Sequence, residues 1–179
     1  GMAVATAEDV DVRLNLVTDL RLGFEGRRAH ALTTLEEGDN AFAALSWDHH
    51  PCPTGYDEAY DHMERTMEYW RKWLNHGAFP DHPWRSYLQR SALTLKGLTY
   101  GPTGALLAAA TTSLPETPGG ERNWDYRYAW IRDSTFTLWG LYTLGFDSEA
   151  NDFFYFIADV ADKEHDLQVM YGVGGERRL

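Results

Sequence analysis

The sequence predicts an α+β fold in which antiparallel strands from the end of a β-sandwich precede a linker helix and the opening of a larger helical domain. Apolar and polar residues alternate through much of residues 10–48, which is the period of a strand with one buried face. From residue 59 onward, apolar residues instead recur at helical spacing. We therefore expect strands in residues 1–48, a linker with a helix in 49–82 and mainly helices in 83–179.

Four short strands are expected in the first segment, joined by tight turns into one antiparallel sheet. Gly26 and the acidic run 36–40 supply residue types that favour such turns. The four strands would have only one face to bury and would need a second sheet or a helical layer. The predicted strands cover residues 10–16, 20–24, 28–35 and 41–47.

Four helices are expected after the strands. The first lies between Thr54, which can cap its first turn, and Gly77, which can end its last. The small-residue run 105–112 has no clear period and receives no assignment. The last two predicted helices are apolar around much of their circumference, so they need neighbours on more than one side. The second, third and fourth helices are predicted over residues 83–99, 134–144 and 148–161.

Composition narrows the classes of partner. The 179 residues include 16 basic and 27 acidic side chains, a net charge of −11, which argues against nucleic acid and favours a small neutral ligand. No apolar run approaches the ~20 residues of a membrane-spanning helix, so no membrane partner is expected. The single cysteine, Cys52, and the absence of a basic leader indicate a cytoplasmic location. If Gly1 and Met2 are an expression scar, the natural N-terminus is missing.

No metal site is predicted. His49, His50 and Cys52 lie close together in the sequence, but their spacing is not that of a zinc site and the neighbouring prolines indicate a stiff linker.

The segment 123–134 carries the most chemical information. If its backbone is extended, alternate side chains form an aromatic wall with a guanidinium at one end. Aromatic faces cover the apolar C–H patches of a sugar ring, and an Arg-Asp pair offers donors and acceptors to neighbouring hydroxyls. The residues concerned are Trp124, Tyr126, Tyr128, Trp130, Arg132 and Asp133.

A structural explanation accounts for the same residues. Alternate aromatic side chains are most often part of a core, and Asp133-Ser134 is an ordinary start for a helix. Composition alone favours this explanation over a sugar pocket.

Longer stretches of the sequence resemble a known family. The segment DYRYAWIRDS, residues 125–134, resembles the first conserved block of the inverting glucoamylase-type hydrolases, glycoside hydrolase family 15. The likeness continues through RSALTLKGLTYGPTGALLAAATTSLPE, residues 90–116, and SLPETPGGERNWDYRYAWIRDSTF is most similar to the actinobacterial trehalases. The resemblance implies a β-sandwich followed by an (α/α)6 barrel, of which residues 83–179 would be the incomplete N-terminal part.

The resemblance also implies roles for individual residues. Arg132 and Asp133 match the pair that holds the terminal glucose in the −1 subsite, and Trp130 lines that subsite. Tyr126 matches the tyrosine beside the oxocarbenium-like centre, whereas Tyr128 and Trp124 are nearby wall residues with less defined roles. Phosphate and magnesium are associated with such trehalases, although no ligand set for either is visible in the sequence.

The catalytic acid and base are expected to be absent. An inverting hydrolase needs one carboxylic acid to protonate the leaving oxygen and one carboxylate to activate water. The family's two glutamates lie in blocks downstream of this sequence, and Glu116, Glu121 and Glu176 occupy solvated-looking positions. The chain is therefore interpreted as an internal fragment, inactive alone, of an enzyme that releases glucose.

Several alternatives stay open at this point. The substrate is trehalose or, as the second choice, a maltodextrin. A non-catalytic protein that binds a sugar or a partner is a different class of function, and a helical toroid with cyclase chemistry is a weaker one. The partner in all the main hypotheses is a small neutral sugar, and a homo-oligomer is possible.

Overall fold

The computed structural model describes residues 2–6, 13–47, 50–112, 114–162 and 166–179. The chain divides into two compact units, residues 1–69 and 70–179. Each unit is described separately.

The first unit contains a three-stranded antiparallel sheet and a separate hairpin. β2 lies between β1 and β5 in the sheet, and β3 pairs with β4 across the two-residue loop Gly26-Arg27. The strands are β1 (Met2–Thr6), β2 (Arg13–Thr18), β3 (Gly23–Glu25), β4 (Arg28–His30) and β5 (Ala43–Trp47).

The prediction of one sheet built from four successive strands is wrong within the described residues. β2 pairs with β5, with Leu16 opposite Leu45, while β3 and β4 form a hairpin of their own. Side chains fix this arrangement, because the Thr18 hydroxyl donates to the Phe42 carbonyl and Asp19 accepts from the Phe42 N–H at 3.1 Å. The strand predicted over 28–35 ends at His30, and residues 10–12 of the first predicted strand lie outside the described residues.

The first helix, α1 (Tyr56–Asn75), occupies the predicted position. Its start differs from the expected cap, because Thr54 is the donor and not the acceptor. The Glu58 carboxylate accepts from the Thr54 N–H at 2.8 Å and from its hydroxyl at 3.0 Å. These bonds lower the pKa of Glu58, the backbone one most strongly.

Three helices and two short strand pairs form the second unit. The predicted helices are confirmed to within three residues at each end, and the unassigned run 105–112 contributes a strand. The elements are α2 (Arg85–Gly97), β6 (Thr99–Tyr100), β7 (Ala105–Leu106), β8 (Ala129–Trp130), α3 (Ile131–Thr143), α4 (Asp147–Asp162) and β9 (Met170–Tyr171); β6 pairs with β7 and β8 with β9, both antiparallel.

Two apolar clusters hold the second unit together. The first joins the strands to α4, and the second joins the end of α1 to α2 and α3. At the end of α3 the chain turns through Gly145, whose φ of 83° is a conformation that favours glycine. The buried members are Ala105, Leu106, Ala129, Phe153, Phe156, Val160 and Tyr171 in the first cluster, and Phe79, Ala92, Leu141 and Phe146 in the second.

The antiparallel strand pairs and four helices confirm the α+β class. The β-sandwich, the (α/α)6 barrel and the three predicted domain boundaries stay predictions. No helix in the described parts of the chain combines the length and apolarity needed to cross a membrane.

Candidate functional site

The backbone of residues 124–133 is not the extended ladder that the alternation suggested. Residues 126–128 form a turn, only Ala129 and Trp130 are in a strand, and α3 begins at Ile131. The predicted alignment of five side chains on one side is therefore wrong. α3 also begins three residues before the predicted start, so Arg132 and Asp133 lie in its first turn.

Three of the predicted site residues form an aromatic cluster, which we define as Trp124, Tyr126 and Trp130. The Trp124 and Trp130 rings meet edge to face at a centroid distance of 6.1 Å, and the Tyr126 ring lies 5.8 Å from that of Trp130. Trp130 is only 8% exposed, whereas Trp124 is 50% exposed. The cluster has a fixed base and an accessible edge, a combination suited to covering the C–H face of a sugar ring.

Tyr128 occupies a different place. It lines a cavity of about 370 Å³ together with residues from the loop after β9. Among the described residues, no ring contact joins Tyr128 to the aromatic cluster. The other lining residues are Arg127, Gly172, Val173, Glu176, Arg178 and Leu179.

Arg132 and Asp133 lie side by side in the first turn of α3. Arg132 Nη2 donates to Asp133 Oδ2 at 3.2 Å, and their side chains are 70% and 34% exposed. Within the described residues this is the only hydrogen bond of the Arg132 guanidinium, so most of its donors remain available to a ligand. The carboxylate of Asp133 is favourably placed at a helix N-terminus. Ser134 is not the helix cap: its hydroxyl is buried and donates to the Leu106 carbonyl at 3.4 Å.

The backbone that carries these side chains is held from two sides. The carbonyls of Tyr126 and Tyr128 accept from the N–H groups of Ala109 and Ala108, at 2.8 and 3.2 Å. On the other side Ala129 pairs with Tyr171 in β9, and the Ile131 N–H donates to the Val169 carbonyl at 3.1 Å. A site on such a braced segment keeps its geometry better than one on a free loop.

Asp125 and Arg127 were not among the predicted site residues. The Asp125 carboxylate accepts from the Arg127 guanidinium at 2.7 to 3.2 Å and from its N–H at 3.0 Å. The side-chain hydrogen bond to Arg127 is the main reason why the pKa of Asp125 is lowered. An aspartate two residues before its partner is a known signal for a turn of this kind, and it was available in the sequence.

The acidic residues considered in the sequence lie in other surroundings. Glu116 faces Arg122 at 4.0 Å on the surface, and Glu176 accepts from the Gly174 N–H at 2.9 Å. Glu121 is exposed. In the described part of the chain, no group of three or more His, Cys, Asp or Glu side chains could hold a metal ion.

The chain is similar to a known family and to proteins of known name. Residues 82–179 match the family described as Glycosyl hydrolases family 15. The chain is 68% identical to the trehalase of Mycobacterium tuberculosis (strain ATCC 25618 / H37Rv) over all of its own length and 27% of that protein. It is also 68% identical to the trehalase of Mycolicibacterium smegmatis (strain ATCC 700084 / mc(2)155), over 100% of this chain and 28% of the relative.

A less similar relative is also named trehalase. The trehalase of Thermoplasma acidophilum is 45% identical over 68% of this chain and 20% of its own length. The chain thus spans about a quarter of the length of the first two relatives. No solved structure matches it. Because the family match covers more than half of its residues, the chain belongs to the glycosyl hydrolases of family 15.

Proposed function

We propose that this chain is part of an inverting α-glucoside hydrolase that releases glucose, with trehalose as its substrate. The observation that carries the proposal is the 68% identity, over the whole chain, to two mycobacterial proteins named trehalase. The arrangement of Arg132 and Asp133 in the first turn of α3, directly after the aromatic cluster, supports it.

In this proposal Arg132 and Asp133 hold the terminal glucose. The guanidinium donates to one hydroxyl and the carboxylate accepts from a neighbouring one, since both groups keep hydrogen-bonding capacity beyond their mutual bond. Trp130 and Tyr126 cover the ring of that glucose, with Tyr126 beside the carbon at which positive charge develops. Trp124 extends the wall at its exposed edge, and Tyr128 contributes from the neighbouring cavity.

The bond is broken by groups that this chain does not supply. Inversion requires an acid that protonates the leaving oxygen and a base that activates water on the opposite face, roughly 6.5 to 9.5 Å apart. Glu116 faces the exposed Arg122, Glu121 is exposed and Glu176 accepts from the Gly174 N–H, so we assign neither role to any of them. We assign both groups to the remaining three quarters of the relatives' length.

The wider architecture belongs to the same proposal. The strands of residues 1–48 close a β-sandwich, 49–82 link it to the catalytic part, and the helices of 83–179 open an (α/α)6 barrel. Dependence on phosphate and magnesium is proposed from the resemblance alone. The described residues do not form a metal-ligand group, so none is assigned to magnesium.

Substitution of the glucose-holding pair tests the proposal. In the natural protein that contains this chain, Arg132→Ala and Asp133→Ala should each lower kcat/KM for trehalose by about 10- to 100-fold, because each removes a charged hydrogen bond to the substrate. Arg122→Ala is the matched control, since Arg122 is an exposed arginine whose acidic partner Glu116 lies 4.0 Å away. Its kcat/KM should equal that of the wild type.

The thermal midpoints separate a binding defect from a folding defect. Both variants and the control should unfold at the wild-type temperature, since Arg132 and Asp133 make an exposed pair that contributes little stability. An unchanged kcat/KM in Arg132→Ala or Asp133→Ala would contradict the assignment of that residue.

A further inference from the structure

The turn from Asp125 to Arg127 lies within the segment that carries the aromatic cluster, between Trp124 and Trp130. The Asp125 carboxylate binds Arg127 Nε at 3.0 and 3.2 Å and Arg127 Nη2 at 2.7 Å, and it also accepts from the Arg127 N–H at 3.0 Å. The carbonyl of the same aspartate accepts from Trp130 Nε1 at 3.0 Å. One residue therefore fixes both the turn and the indole of Trp130.

The position of Tyr126 follows from this arrangement. Tyr126 is the single residue between Asp125 and Arg127, so closing the turn restricts the direction in which its side chain leaves the backbone. Its ring lies 5.8 Å from that of Trp130, which the Asp125 carbonyl orients. Loss of the turn would thus release two rings at once.

We propose that Asp125 and Arg127 are a positioning pair that sets the geometry of Tyr126 and Trp130 for the glucoside. This inference rests on the proposed function, because it assumes that these two rings contact the sugar. Neither Asp125 nor Arg127 touches the reacting atoms in this account. Both act through the aromatic residues that the turn carries.

A direct role for Arg127 is the main competing explanation. Its side chain also lines the cavity beside Tyr128, where it could meet a ligand. However, Nε, Nη2 and the backbone N–H of Arg127 are all engaged by Asp125. The pair is also exposed enough for its contribution to stability to be small, so its removal should leave the protein folded.

A double-mutant cycle in the natural protein that contains this chain separates the two explanations. Asp125→Ala and Arg127→Ala should each lower kcat for trehalose about tenfold with KM changed less than about twofold, since a displaced wall residue misorients the bound sugar. The double variant should lose no more than the more affected single variant. Asp125→Asn, which keeps an acceptor for the Arg127 N–H, should recover part of the loss.

Hydrogen exchange supplies a readout that does not depend on activity. Amides of residues 124–131 should exchange faster in both single variants and at the wild-type rate in Arg122→Ala, which leaves the turn intact. Losses that multiply in the double variant, or a rise in KM with kcat unchanged, would overturn the inference and assign Arg127 to direct binding. Wild-type exchange in Asp125→Ala would overturn it as well.

The two proposals fail in distinguishable ways. If the wild-type protein releases no glucose from any α-glucoside, the proposed function fails, and the exchange rates still decide whether the pair orders the turn. If the wild type is active while the single variants retain full kcat, the positioning role alone is refuted.

Discussion

Glu149 is a buried carboxylate that no pattern in the sequence singles out. It is 1% exposed, yet its Oε1 accepts from Lys96 Nζ at 2.8 Å and Trp73 Nε1 at 2.9 Å. The hydroxyl of Ser148 donates to Oε2 at 2.9 Å. These contacts connect the start of α4 to α2 and to the end of α1. A buried charge is tolerated here because two donors reach Oε1 and a third reaches Oε2.

Removal of this carboxylate should destabilise the protein. We expect Glu149→Ala to lower the free energy of unfolding by about 3 kcal/mol, because it leaves the partly buried ammonium of Lys96 without its partner. Glu116→Ala, which removes an exposed carboxylate, should change it by less than about 0.5 kcal/mol. Urea unfolding followed by tryptophan fluorescence measures both, and equal midpoints for the two variants would contradict the role of Glu149.

The same group should make stability depend on pH. Burial alone would raise the pKa of Glu149, but hydrogen bonds from Lys96, Trp73 and Ser148 outweigh it and hold the pKa below its ordinary value of 4.5. A carboxylate with a lowered pKa contributes stability above its unfolded value, and this contribution is lost as the pH falls through the folded one. The stability difference between wild type and Glu149→Ala should therefore shrink below pH 4.5.

At single positions, the sequence predicted which residues lie close together better than it predicted their geometry. Arg132 and Asp133 are together because they are adjacent, and Trp124, Tyr126 and Trp130 do form a cluster. The periodicity placed Tyr128 with them because the backbone was assumed to be extended. The turn before Tyr128 depends on hydrogen bonds to the Asp125 side chain. The alternation of apolar residues does not predict such bonds.

At the scale of elements, helices were predicted more accurately than strand pairing. Helical periodicity is a local property, so α2 and α4 lie close to their predicted bounds. Strand pairing is not local: β2 pairs with β1 and with β5, and the β3–β4 hairpin lies between β2 and β5 in the sequence. The start of α3 was missed for a similar reason. The Ile131 N–H is satisfied by Val169, a residue far along the chain.

The turn between β6 and β7 offers a matched test of an element's requirements. Gly104 has a φ of 79°, and a Cβ at this position would collide with the backbone carbonyl of Asp152 in α4. Gly104→Ala should therefore lower the free energy of unfolding by about 2 kcal/mol, through backbone strain and displacement of α4. Thermal or urea unfolding measures the loss.

Gly101 is the control in the same turn. A Cβ there would meet no atom within 4 Å, and its φ lies outside the positive range. Gly101→Ala should leave stability within about 0.5 kcal/mol of the wild type. If the two alanine variants unfold at the same midpoint, the close approach of the turn to α4 is not a constraint on stability.

At the scale of the whole molecule, α3 and α4 carry several large apolar side chains that stay exposed to solvent. The sequence predicted neighbours on more than one side of both helices, and the side chains left exposed agree with that expectation. In the proposed function, the rest of an (α/α)6 barrel covers them. The largest of these side chains are Phe136, Trp139, Tyr142, Phe154 and Tyr155.

The α+β class followed from periodicity, whereas the sandwich and the barrel did not. Residue patterns show which face of an element is apolar, but closure into a sandwich or barrel depends on partners far along the chain. For residues 1–48 and 83–179 those partners belong to the proposal. The family itself came from long similar blocks such as residues 125–134, which periodicity alone does not identify.

The most direct test of the central claim is glucose release from trehalose and maltotriose, measured for this chain alone and for the natural protein that contains it. We expect release by the natural protein, faster from trehalose, and none by the chain alone. Faster release from maltotriose would keep the hydrolase and replace its substrate by maltodextrins. Release by the isolated chain would contradict the claim that the catalytic acid and base lie outside it. No release by the natural protein would contradict the proposed hydrolase and favour a non-catalytic sugar-binding role.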